Sequence, residues 1–141
     1  MNLYLDTSSL FKLYHKEPGT EIIDQFFSTH KIESIFLSEI ANVEFASAVY
    51  RKVRMKKLNF DIAEELMNLF DNDFEKYEII PINRAIIKVS KQLLMKYGQL
   101  GLRTLDAHQL ASALEVRDVV DKYFTSDSIL LSLFEREKLP V

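Results

Sequence analysis

The chain has 141 residues, 48% of them apolar and 28% charged, with three glycines, three prolines, no cysteine and a formal net charge of −3. That length supplies one ordinary core, so residues 1–141 are read as a single domain without linker, low-complexity tract or repeat array. The composition excludes a disulfide framework, thiolate metal ligands and a thiol nucleophile, and the mild negative charge excludes coating nucleic acid by bulk electrostatics.

The N-terminus lacks the basic-then-apolar layout of a secretion signal, and no apolar run approaches the roughly 20 residues that span a bilayer. A soluble cytoplasmic protein with no membrane contact is the expectation. In chain order, residues 2 to 5 read as a short buried strand that stops at Asp6, and "SSLFKLYHKEPG" reads as a helix closed by Pro18 and Gly19. "GTEIIDQFFSTH" carries Ile22, Ile23, Phe26 and Phe27 on one helical face, and "SIFLS" is a β-rich run. From Glu39 to Lys56 the pattern is helical, and "NFDIAEELMNLFDNDF" follows with Asn59 as its N-cap. "YEIIPI" reads as a strand and "NRAIIKVSKQLLMKYG" as a helix between Asn83 and Gly98. "RTLDAHQLASALEV" is helical, "KYFTS" a strand, "DSILLSLFERE" a helix, and "LPV" is expected as a terminal edge strand.

Strands alternating with helices favour an α/β fold with a mostly parallel sheet covered on both faces. In such sheets ligands bind beyond the carboxyl ends of the strands. Asp6 ends the first strand and Asp127 follows the last well-marked one, so both should reach the same rim. Two more acids interrupt helical faces that ought to be apolar: Asp106, in line with Leu102, Leu110 and Ala113, and Glu44, between Ile40 and Ala48.

Each acid has a plain structural account. Asp6 and Asp127 stand where helix caps would, Asp106 lies three residues from Arg103, and Glu44 lies two turns from Arg51. Four together are harder to explain singly, because converging carboxylates repel one another unless a cation joins them. Oxygen ligands without cysteine or a histidine pair favour Mg²⁺ or Mn²⁺, ions that take few carboxylates and keep room for phosphate oxygens. "RKVRMKK" (Arg51 to Lys57) adds five basic residues in seven, either a solvated helix end complementing the helix dipole or a phosphate contact.

These segments resemble the PIN-domain ribonucleases, in particular VapC-type toxins of toxin–antitoxin pairs, over essentially the whole chain. "LYLDTSSLFKLY" is similar to the family's opening strand and acid, "LSEIANVEFASAVYRK" to its second motif with Glu44 rather than Glu39 as the acid, "LRTLDAHQLASALE" to the third with Asp106, and "FTSDSILL" to the fourth with Asp127. The resemblance implies a PIN-like three-layer α/β/α fold, a Mg²⁺- or Mn²⁺-dependent endoribonuclease, a homodimer, and control by a cognate antitoxin that inserts into the acidic cleft. It implies Asp6, Glu44, Asp106 and Asp127 as metal ligands and catalytic acids, with Ser8, and Thr125 or Ser126, as supporting hydroxyls. Arg51, Lys52 and Arg54 are then candidates for RNA contact, and exposed Phe36, Tyr50 or Phe60 candidates for the dimer interface. His108 departs from the family pattern, which has an aliphatic residue there followed by His or Gln; Gln109 meets the second requirement, and His108 is read as a surface or interface residue. His15 and His30 lie outside the acidic motifs. Two other classes stay open: a catalytically silent partner-binding module, and an aspartate phosphotransfer domain, although Ser8 occupies the position where a phosphatase has its second Asp.

Overall fold

The computed structural model describes residues 1–141. Strand β1 (Asn2–Leu5) passes through Asp6 into the short helix α1 (Thr7–Phe11), followed by α2 (Thr20–Thr29) and β2 (Ser34–Ser38). Helices α3 (Ala41–Arg54) and α4 (Phe60–Asp73) precede β3 (Glu78–Ile80), and α5 (Arg84–Tyr97) and α6 (Thr104–Glu115) precede β4 (Lys122–Phe124) and α7 (Ser128–Arg136). The four strands form one sheet, parallel throughout, in the order β3-β2-β1-β4.

Local signals set most of these boundaries. Asn59 and Asn83 cap α4 and α5 by accepting the Ile62 and Ile86 amides at 2.8 and 3.0 Å, each answering one of the free N–H groups of a first turn. Alternate strand residues feed opposite cores. Tyr4, Ile80 and Tyr123 pack with Leu93 of α5, Leu110 of α6 and Phe134 of α7. Leu5 and Leu37 pack on the other face with Leu10, Phe45 of α3 and Phe70 of α4. The result is the expected three-layer α/β/α arrangement. Small residues let α6 come close: Ser112, fully buried, donates to the equally buried Ser38 at the end of β2 over 2.8 Å.

Three expectations are corrected. The first helix stops at Phe11 instead of running to Pro18, since the Lys12, Leu13 and Tyr14 amides tighten to carbonyls three residues back. Tyr14 is drawn into the core there, its ring 5.2 Å from Phe45 and 5.7 Å from Phe70. "LPV" forms no strand. Pro140 accepts one bond from the Tyr123 amide at 2.8 Å, but it has no N–H with which to continue a ladder, and Leu139 is buried in the core instead. Phe36 is packed against the core rather than exposed, whereas Tyr50 and Phe60 are 43% and 71% exposed.

Candidate active site

The order β3-β2-β1-β4 means the chain winds outward from β1 on one side and then crosses to the other. The reversal leaves a crevice at the carboxyl ends of β1 and β4. Asp6 and Asp127 flank it. Asp6 is both a cap and a buried carboxylate, only 4% exposed. Its Oδ1 accepts the Ser9 amide at 2.9 Å, Ser8 Oγ lies 2.8 Å from both oxygens, and Thr125 Oγ1 donates to Oδ2 at 2.6 Å. The same Thr125 oxygen accepts the Asp127 amide at 3.0 Å, and the Ser126 amide donates to Ser8 Oγ at 2.9 Å. The loop after β4 is thereby stitched to the loop after β1. Ser126 contributes its backbone to this seam, not its hydroxyl. Asp127 caps α7 through Oδ1, which accepts the Leu130 amide at 2.7 Å.

Glu44 and Asp106 arrive from opposite layers, on the first turns of α3 and α6. Both are half-buried. Glu44 Oε1 accepts Thr7 Oγ1 at 3.0 Å and Gln109 Nε2 at 2.8 Å. Thr7 was not singled out from sequence because it reads as an ordinary first-turn residue, and Gln109 entered only through the family resemblance. Glu39, the other acid near this motif, is elsewhere: it accepts the Ile82 amide at 2.8 Å and pins the chain after β3.

All four acids line one groove of about 620 Å³. None has a Lys or Arg within ion-pair distance, so the alternative account of the acids, Asp106 paired with Arg103 and Glu44 with Arg51, does not hold. Burial pushes the Asp6 carboxyl up despite its hydrogen bonds. Burial also raises Glu44, with repulsion from Asp6 and Asp106 adding to it. Asp106 is raised by burial and by Asp127 and Asp6, against the pull of Arg103. Glu44 and Asp106 thus register the neighbouring acids as uncompensated charge.

No three of the acids or histidines are close enough to enclose an ion by themselves. The donor set nonetheless fits Mg²⁺ or Mn²⁺. It is all oxygen, it carries unbalanced negative charge, and it leaves positions that such ions fill with water and phosphate oxygens.

One wall of the groove is basic. Arg51, Lys52 and Lys57 line it, and Arg54 does not. Lys52 is already paired: Glu17 bridges it at 3.1 Å and the buried Lys12 at 3.1 Å. Burial alone would raise the Glu17 carboxyl, but the two lysines carry it below the usual range. Arg51 is exposed and makes no ion pair. The histidines stand apart from the groove: His108 contacts the Thr104 carbonyl at 2.7 Å, while His15 and His30 rest on Phe11 and Phe26.

The architecture is an α/β/α sandwich with four acids gathered at the crevice beside its first strand. A family model described as the PIN domain matches residues 3–137, and the chain belongs to that family. Among solved structures the chain is similar to VapC20 of Mycobacterium tuberculosis, described as a Sarcin-Ricin loop cleaving toxin, at 11% identity and a TM-score of 0.70 over 93% of this chain and 94% of that one. It is also similar to FitAcB from Neisseria gonorrhoeae, at 16% identity and a TM-score of 0.70 over 94% and 93%. A third is VapBC2 from Rickettsia felis bound to a DNA fragment from its promoter, at 17% identity and a TM-score of 0.62 over 99% and 94%. At these identities the likeness establishes the fold. No curated protein sequence matches the chain. No helix is long and apolar enough to cross a membrane.

Proposed function

We propose that residues 1–141 form a single PIN domain acting as a Mg²⁺- or Mn²⁺-dependent endoribonuclease, the toxin of a toxin–antitoxin pair. The observation that carries the reading is the convergence of Asp6, Glu44, Asp106 and Asp127 on one groove with none of them in an ion pair. A structural role accounts for one oxygen of Asp127 and for the cap at Asp6, but not for Asp106 and Glu44 turned toward the same space.

In this reading the four acids hold the metal, and the chemistry such an ion supplies when bound is Lewis acidity toward the scissile phosphate and a lowered pKa for the attacking water. Ser8, Ser9 and Thr125 keep the Asp6 carboxylate oriented, and Thr125 also fixes the loop that carries Asp127. Arg51 and Lys57 on the basic wall receive backbone phosphates. No side chain serves as nucleophile. The fold shared with VapBC and FitAB complexes supports a small antitoxin as the partner that covers this groove. A cytoplasmic homodimer, with Tyr50 and Phe60 among its contacts, completes the proposal.

Purified protein should cut RNA with Mg²⁺ or Mn²⁺ and not in EDTA, and Asp6→Asn should abolish cutting while the circular dichroism spectrum keeps its wild-type shape. Cleavage that persists in both EDTA and Asp6→Asn would overturn the proposal.

A further inference from the structure

Glu44 is held from one side. Both hydrogen bonds it accepts fall on Oε1, and Oε2 takes none from the protein. Gln109 Nε2 donates to Glu44 and, at 3.1 Å, to Thr7 Oγ1, which uses both amide protons. Behind the amide, Gln109 Oε1 accepts the Tyr4 hydroxyl at 2.6 Å, and the same hydroxyl lies 3.0 Å from the Gln109 carbonyl. Tyr4 is fully buried and Gln109 is 2% exposed, so water replaces none of these partners.

Such a network has one workable direction. Turned over, the amide would set its own oxygen against Glu44 Oε1 at 2.8 Å, two acceptors face to face. The donors therefore run from Tyr4 to Gln109 to Glu44, with Thr7 closing the contact from α1. No cation takes part, so no basic side chain pairs with Glu44.

We propose that Tyr4 and Gln109 are positioning residues: from β1 and α6 they lock Glu44 with Oε1 turned inward and present Oε2 to the groove as an oxygen ligand for a divalent cation. This rests on the metal-dependent reading above. Tyr4→Phe isolates the hydroxyl, because the ring keeps its packing at 5.5 Å from Tyr123 and 6.2 Å from Phe134. Tyr123→Phe is the matched control. Its hydroxyl is also buried and also donates to a carbonyl of α6, that of Ala113 at 3.2 Å, but it touches neither Gln109 nor Glu44.

Two measurements on the full chain test the relay. In metal-free protein, side-chain amide exchange of Gln109 followed by NMR should be slow in the wild type and in Tyr123→Phe, and faster in Tyr4→Phe. By Mn²⁺ titration followed by EPR, Tyr4→Phe and Gln109→Leu should bind about tenfold to a hundredfold more weakly, the range found for groups that orient metal ligands, with Tyr123→Phe unchanged. Wild-type Mn²⁺ affinity in Tyr4→Phe, or an equal loss in Tyr123→Phe, overturns the proposal. Absence of Mn²⁺ binding by the wild type overturns the metal-dependent reading instead. Amide exchange then decides the relay alone, and exchange unchanged by Tyr4→Phe overturns it.

Discussion

A carboxylate at a helix start is an inexpensive structural device, and Asp6 shows how one side chain serves two purposes. Its Oδ1 caps α1 through the Ser9 amide, while three hydroxyl contacts keep a buried charge tolerable. Asp106 has no such set of donors. Burial, Asp127 and Asp6 hold its carboxyl above the ordinary range. A carboxyl raised in this way adds stability below its unfolded pKa, near 4, and that contribution is lost as pH rises through the folded value. The cluster thus opposes folding at neutral pH unless a cation is bound. Asp106→Asn should therefore raise the thermal midpoint of metal-free protein near neutral pH by the equivalent of on the order of 1 kcal/mol, allowing for solvent screening at a half-buried group. The gain should fade toward pH 4 as the wild-type carboxyl protonates. Thermal unfolding in EDTA at both pH values checks this, and a lower midpoint for the variant at neutral pH would contradict it.

At the scale of elements, the helices that were easiest to read are those with an amphipathic stripe and a side-chain cap. Asn59 begins α4 and Asn83 begins α5 because each side chain answers a first-turn amide. Asn59 is exposed and stands away from the groove. Asn59→Ala should cost about 1 kcal/mol in urea unfolding and leave Mn²⁺ affinity and RNA cleavage at wild-type values; a loss of activity larger than the loss of folded protein would mean that α4 reaches the site. Elements whose ends depend on distant packing were read less well. No capping residue marks the end of α1 at Phe11, beyond which Tyr14 packs on Phe45 and Phe70. "LPV" has strand-like residues, but Pro140 lacks the N–H that a ladder needs.

For the molecule as a whole, the net charge of −3 conceals a groove with opposite walls. Acids occupy the sheet end and Arg51, Lys52 and Lys57 the end of α3, with Glu17 neutralising part of that basic side. RNA binding should therefore be salt-sensitive in proportion to the few cations left unpaired. With metal removed, Arg51→Ala should flatten the dependence of log K on log salt by about 0.7, the value for one single-strand phosphate contact, and leave Mn²⁺ affinity unchanged. Fluorescence anisotropy with a short RNA across a salt series measures this. An unaltered slope would place Arg51 outside the binding path.

What the sequence determined by itself was local: the order and kind of most elements, the caps at Asp6, Asn59, Asn83 and Asp127, and the anomaly of Glu44 and Asp106 on otherwise apolar faces. Helical and strand periods and first-turn hydrogen bonds act over a few residues, so they leave a trace in short stretches of chain. The tertiary structure alone decided which acids share a groove, that Lys52 answers Glu17 while Arg51 stays free, and that Tyr4 meets Gln109 across 105 positions of chain. Coulomb energy, desolvation and hydrogen-bond direction depend on distances through space, and those were set when β4 came to lie beside β1.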